Sequence, residues 1–247
     1  MKWNFHLMQL NQLLSGARFL LGTILAFLLL LAIAGCSDNA SREDTERLIA
    51  ARAPDFMGPA DHYLVETHGI STRQVDLIRI TGVGVMPDPN LKIDPLVLTL
   101  SHVRYQRHPF RVLQVGDAVF EGRISESAIN QYLLHQHRAE SGSVKNLRLT
   151  IERGLLRVDA SASVSHLDIP VKTSGFVRIE DGLRFRYTAE SLRILGVGVP
   201  AGIQQLLTDM VNPVADISGL RFAPHVTRVL LEPGAITFSG SAKLRIL

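Results

Sequence analysis

Three arginines crowd one predicted β-hairpin. In SGFVRIEDGLRFRYT, a three-residue loop Glu180-Asp181-Gly182, with Gly182 in the left-handed position, pairs Ile179 with Leu183 and Val177 with Phe185. That register sets Arg178 directly opposite Arg184, with Arg186 two residues on. Like charges across a ladder repel, so an anionic neighbour is expected, and the guanidinium fork matches a phosphate by geometry. The protein's own carboxylates are the alternative neutralisers. A second group, Arg104, Arg107 and Arg111, surrounds Pro109.

Other reactive patterns are missing. His135 and His137 are two apart on a predicted helix and project to different faces, so they cannot share a metal as residues at i and i+4 could. Histidines 62, 68, 102, 108, 166 and 225 are scattered over strands and loops, and there is no Cys-x-x-Cys, His-Glu-x-x-His or Gly-x-Ser-x-Gly. Gly196 to Gly202 follows a strand and opens a helix as a dinucleotide fingerprint would. Its third glycine is one residue late, and Pro200 stands where a backbone N–H is wanted, so a tight strand-to-helix turn is the reading. No cofactor and no metal are expected. A serine, a histidine and an acid converging from separate strands would make a hydrolase, and the sequence leaves that open.

The one cysteine carries the most specific position. Phe19 to Gly35 reads FLLGTILAFLLLLAIAG without a charge, after Lys2 and Arg18, and polar residues follow from Cys36. A cationic segment, an apolar run and small residues make a secretory leader. Ile33-Ala34-Gly35-Cys36 resembles the bacterial lipobox, which implies cleavage after residue 35 and acylation of Cys36. The alternative is an uncleaved anchor, since 17 apolar residues reach the lower limit of a membrane span. Both place the bulk of the chain on the extracytoplasmic side of a bacterial membrane, inner or outer.

Composition bounds the rest. With 46% hydrophobic and 20% charged residues among 247, intrinsic disorder is excluded, and one cysteine excludes a disulfide scaffold. Only 6% of residues are aromatic, too few for the stacking platforms of single-stranded nucleic acid. The formal +3 charge also fades: residues 1–35 hold Lys2 and Arg18 but no acid, so 26 bases against 23 acids become 24 against 23. Nucleic acid is therefore not an expected partner.

These residues are positioned by strands. After a tether with one or two helical turns around Asp44 to Ala53, β texture begins at Tyr63 and continues through YLVET, QVDLIRITGVGV, LKIDPLVLTLSHVRY and FRVLQVGDAVFEGRI. SESAINQYLLHQHRAE is the first helical pattern, capped by Ser125, with Ile129, Tyr132, Leu133 and Gln136 on one stripe. A hairpin turning at Arg153-Gly154 pairs Ile151 with Leu156, Leu149 with Val158 and Leu147 with Ala160, leaving Arg148 opposite Asp159. Another turns at Pro233-Gly234 and pairs Leu231 with Ile236 and Val229 with Phe238. Between them Pro200 opens a helix with Ile203, Leu206, Leu207 and Met210 as its apolar face, ended by Asn212-Pro213. The pattern predicts an α+β fold, with a long, strongly curved antiparallel sheet around one or two helices.

ISESAINQYL, GLLRVDA, DGLRFR, PAGIQQLLTDMVNPVADISGL and VTRVLLEPGAITFSGSAKL, in that order from about Tyr63 to Leu244, resemble the LmeA-like phospholipid-binding family. Asn130, Asn212, Pro213 and Gly234 carry the motif. The ISESAIN opening is also similar to YceB-type lipoproteins, and both groups look like halves of the tubular fold of the bactericidal permeability-increasing protein. The resemblance implies an apolar groove for acyl chains with the head group at its mouth, and it brings no catalytic residues. The expected domains are a leader over 1–35, a tether and short helix over 36–61, and one lipid-binding domain over 62–247. Ile129, Leu133, Ile203, Leu206, Leu207 and Met210 are expected to line the groove, and Arg178, Arg184 and Arg186 to meet the phosphate. The expected function is a non-enzymatic, membrane-tethered phospholipid binder. The competing readings are a structural or interaction lipoprotein with a filled core and an envelope hydrolase, and a protein partner is unknown.

Overall fold

Alternation of apolar and polar side chains governs the architecture: along LVLTLSHVRYQ, Leu96, Leu98 and Leu100 turn inward while Val97, Thr99 and Ser101 face outward. The computed structural model describes residues 42–71, 73–106, 111–136, 144–164, 167–194, 197–198 and 201–244. The apolar leader and Cys36 lie outside the described residues, as do Arg107, the Pro109 turn and most of the Gly196 to Gly202 segment. Residues Arg47–Leu247 form one compact unit; of the unit Met1–Glu46 only the first helical residues, 42–46, are described. Among the described residues no helix is long and apolar enough to cross a membrane.

Helix α1 (residues 42–57) is followed by β1 (His62–Ile70), β2 (Gln74–Val83), β3 (Val85–Asp88), β4 (Leu91–Ile93), β5 (Leu96–Gln106), β6 (Arg111–Gln114) and β7 (Ala118–Ser125). Then come α2 (Glu126–Gln136), β8 (Val144–Glu152), β9 (Leu155–Val164), β10 (Leu167–Glu180), β11 (Arg184–Ile194), β12 (Val197–Gly198) and α3 (Ala201–Val211). The chain closes with β13 (Ala215–Asp216), β14 (Pro224–Glu232) and β15 (Ala235–Ala242). Every pairing among the described residues is antiparallel, and the fold is α+β with a curled, half-barrel sheet and few helices. The strands divide into two main sheets: seven strands in the order β1-β2-β5-β7-β15-β14 with β6 beside β5, and six in the order β12-β11-β10-β9-β8 with β13 beside β11.

The sheets are pinned where hairpin turns meet. The Gly154 N–H donates to the Leu231 carbonyl (3.0 Å), the Gly234 N–H to that of Ile151 (2.9 Å) and the Val226 N–H to that of Gly182 (2.9 Å). An aromatic cluster fills the space behind them: Phe238 of β15 lies 5.2 Å from Phe185 of β11 and 6.1 Å from Phe120 of β7, and Phe120 is 5.3 Å from Phe222. Close packing of the Phe238 ring explains Gly122, because a Cβ there would come within 2.3 Å of it. Helix α1 runs longer than the turns read around Asp44 to Ala53 and buries Ile49, Ala53 and Met57 in the main core.

Two of the three hairpin registers hold as expected. Ile151 faces Leu156, Leu149 faces Val158 and Arg148 faces Asp159, although a bulge between Lys145 and Arg148 removes the Leu147–Ala160 pairing. Leu231 faces Ile236 and Val229 faces Phe238. The arginine hairpin is corrected: Ile179 pairs with Phe185, Val177 with Tyr187 and Arg178 with Arg186, so Arg184 faces Glu180. Its turn centres on Asp181 (φ 53°) and Gly182 (φ 71°), closed by the Leu183 N–H to the Glu180 carbonyl at 3.1 Å. The slip is two residues, which leaves every side chain on its own face, so the hydrophobic pattern fits both registers equally. Arg178 still faces an arginine in the observed register, but Glu180 now stands in the ladder, where its carboxylate pairs with Arg186 at 2.9 Å.

Candidate functional site

The site is built on α3 and the six-stranded sheet. Leu207 and Met210 of α3 pack on Ala160 of β9 and Val171 of β10, with half-buried Leu147 beside them, in a small apolar cluster separate from the main core. Further along the same ladder the backbone of Ile169 pairs with that of Ala162, and the Ile169 side chain is only half-buried. The C-terminal end of the helix is fixed: Val211, Val214, Ala215 and Ile217 are all wholly buried in the main core.

Two asparagines hold the helices onto bare strand edges. On α2, Asn130 Oδ1 accepts from the Leu149 N–H (2.8 Å), and Nδ2 donates to the Leu149 carbonyl (2.8 Å) and to that of Glu126 (3.0 Å). After α3, Asn212 treats Tyr187 of β11 identically, accepting from its N–H at 2.6 Å and donating to its carbonyl at 3.0 Å. A primary amide offers the same donor and acceptor pair as a backbone unit, so each asparagine substitutes for one residue of a neighbouring strand. Glu126 adds a third contact, its carboxylate accepting from the Ile151 N–H at 2.8 Å, while Ser125 caps α2 through the Ala128 N–H at 3.2 Å.

The arginines sit at the edge of this platform. Arg178, Glu180, Arg184 and Arg186 share the outer face of the β10–β11 hairpin. Arg186 reaches Glu180 at 2.9 Å and Arg184 reaches Asp216 at 3.2 Å, so two of the three are neutralised by the protein itself. Arg178 lies over the Phe176 ring at 4.8 Å, with no carboxylate in ion-pair reach among the described residues. Beside them is a cavity of about 460 Å³ lined by Arg178, Arg186, Thr188, Thr208 and Asn212 among others. An adjoining one of about 400 Å³ shares Glu180, Arg186 and Asn212 and adds Tyr132, Gln136, Arg184 and Asp216. Burial raises the Asp216 carboxyl, but hydrogen bonds from Ser218 and the Arg184 guanidinium outweigh it and hold it below the usual carboxylate value. Burial pushes the Tyr132 hydroxyl up to about 12.

The six residues expected to line a groove do not gather in one place. Ile129 and Leu133 are 0% and 2% exposed and sit inside the main core, whereas Leu207 and Met210 belong to the α3 cluster. The side chains of Ile203 and Leu206 lie outside the described residues. Sequence reasoning missed Phe176 beneath Arg178, and it quoted Asn130 and Asn212 only as parts of a resemblance. Their signal was an amide at the edge of each apolar stripe, which without the fold has no visible partner. Among the described residues no cluster of histidine, cysteine and carboxylate could hold a metal ion.

Comparison with curated proteins and with solved structures returned no match. Comparison with protein families matched residues 67–241, a span that opens in β1, closes in β15 and contains α2, α3, both asparagine clamps and the arginine hairpin. The chain belongs to the LmeA-like phospholipid-binding family.

Proposed function

We propose that this protein binds phospholipid non-enzymatically between α3 and the apolar face of the six-stranded sheet, and carries it within the cell envelope while tethered to a membrane through acylated Cys36. The observation that carries the reading is the α3 cluster. Leu207 and Met210 pack on Ala160 and Val171, with Leu147 beside them, in a cluster distinct from the main core, and the ladder continues past it to Ile169. Small and β-branched residues under a helix leave room for acyl chains, and burying a methylene contributes about 0.8 kcal/mol. Ile203 and Leu206, one turn earlier on α3, extend the same apolar stripe in sequence. Arg178 supplies the charge for the phosphate, with Arg184 and Arg186 beside it already held by Asp216 and Glu180.

Gentle purification of the full chain, then mass spectrometry of extracted lipid and a vesicle-to-vesicle transfer assay, tests this. Phospholipid recovered with the protein and saturable transfer are expected; repeated recovery without lipid together with no transfer would sink it. The complete burial of Ile129 and Leu133 favours a second reading, an envelope lipoprotein with a filled interior, and that pair of negative results is what it predicts. For the tether, fatty-acid labelling is lost in Cys36→Ala, and label retained there contradicts acylation at this position.

A further inference from the structure

One end of the seven-stranded sheet is basic and carries an exposed leucine. The β1–β2 turn and the β5–β6 hairpin lie side by side: the Tyr105 N–H donates to the Arg73 carbonyl at 3.0 Å, and the Tyr105 hydroxyl donates to that of Ser71 at 3.0 Å. Arg104 stands between Gln74 of β2 and Gln114 of β6, and Arg111 is across from Gln106. Arg73, Arg104 and Arg111 are all exposed. Residues 69–75 and 103–116 contain neither Asp nor Glu. The acids next along these strands each accept a hydrogen bond, Asp76 from the Gln74 amide at 3.0 Å and Asp117 from the Ser101 hydroxyl at 3.4 Å.

Leu113 is the extra residue of a bulge, between the Arg104–Gln114 and Tyr105–Val112 pairings, and is 48% exposed. A bulge re-aims a side chain that regular pairing would put on a fixed face. The result is an apolar side chain pointing to solvent among arginines. From this we infer that this end of the sheet docks onto the surface of an anionic lipid bilayer, the arginines meeting headgroup phosphates and Leu113 entering the interface. Cations attracted by anionic lipid around an inserted apolar residue are the chemistry of peripheral membrane contact. Leu113 favours a bilayer over a nucleic acid, which offers the arginines phosphate but gives a leucine nothing to enter. The surface is separate from the α3 site and does not depend on how that site is filled.

The test uses the protein purified from membranes in mild detergent, and reads the docking end locally so that a tether elsewhere does not decide the result. A Leu113→Trp variant is mixed with vesicles of phosphatidylcholine alone or with 30% phosphatidylglycerol, and its emission is compared with that of the parent protein, whose only tryptophan is Trp3. A blue shift with the anionic vesicles alone, reversed by 0.5 M sodium chloride, is expected. Adding Arg73→Gln and Arg104→Gln should lower the docked-to-undocked ratio roughly 30-fold, from about fivefold per arginine. Equal emission in both vesicles, or a shift that survives the double substitution, would overturn the proposal. If the double variant melts early, each single variant still has to show its own fivefold loss. Bound lipid measured in the same variants stays unchanged, which separates a failure here from a failure of the α3 site.

Discussion

Removing the amide clamp on β8 should cost more than any exposed substitution in the molecule. Asn130→Ala deletes three hydrogen bonds, two of them to the Leu149 backbone. Both Leu149 backbone groups lose their partner beneath α2, where water enters only if the helix lifts. Each unsatisfied half-buried group costs about 1–3 kcal/mol, and water recovers part of that, so about 2–4 kcal/mol is expected in total. For a protein of this size, that is a fall in Tm of roughly 4–16 °C. Asn130→Asp keeps an acceptor for the Leu149 N–H but turns a carboxylate oxygen toward the Leu149 and Glu126 carbonyls, so it should recover none of the loss at neutral pH. Thermal melting and urea titration of the full chain in mild detergent give the stability, and amide exchange at Leu149 gives the location. An Ala variant within about 0.5 kcal/mol of the parent, or a Leu149 amide that exchanges no faster, refutes the clamp.

Two further perturbations address packing and charge. Gly122→Val drives a side chain into the Phe238 ring and should cost about 1–3 kcal/mol, with Phe238→Leu in the same chain restoring part of the loss; a single variant as stable as the parent would show that the aromatic cluster is loose. Asp216 is held below its ordinary value of 3.8, so its contribution is complete above pH 3.8 and disappears as pH falls through the lower folded value. Melting curves between pH 2 and 6 should therefore drop more steeply for the parent than for Asp216→Asn, and parallel curves would contradict the pairing with Arg184.

Strands and caps were legible because they are local. The Arg153-Gly154 and Pro233-Gly234 turns, the Ser125 cap and the apolar stripe of α2 depend on residues close in sequence, and all four are present. The arginine hairpin was misread by two residues because the period of a strand is two, and what distinguishes its registers is a Glu180 that enters the ladder and pairs with Arg186, and a Leu183 that packs on the core. The division into two sheets was not legible, since it depends on contacts between turns at Gly154 and Gly234 that lie 80 positions apart. For the site, the arginine cluster was visible but its neutralisation by Asp216, which comes from a different strand, was not. Asn130 and Asn212 stood out in the sequence, yet their purpose depends on which strand edge each helix meets.

The binding claim is tested most directly by filling the space beneath α3. Val171 is 1% exposed and lies in the cluster with Leu207 and Met210, so Val171→Trp places an indole where acyl chains are proposed to run. Native mass spectrometry of parent and variant, both purified gently and both shown folded by melting, should find about one phospholipid on the parent and none on the variant. The same lipid on both, or none on either, would contradict a binding site between α3 and the six-stranded sheet.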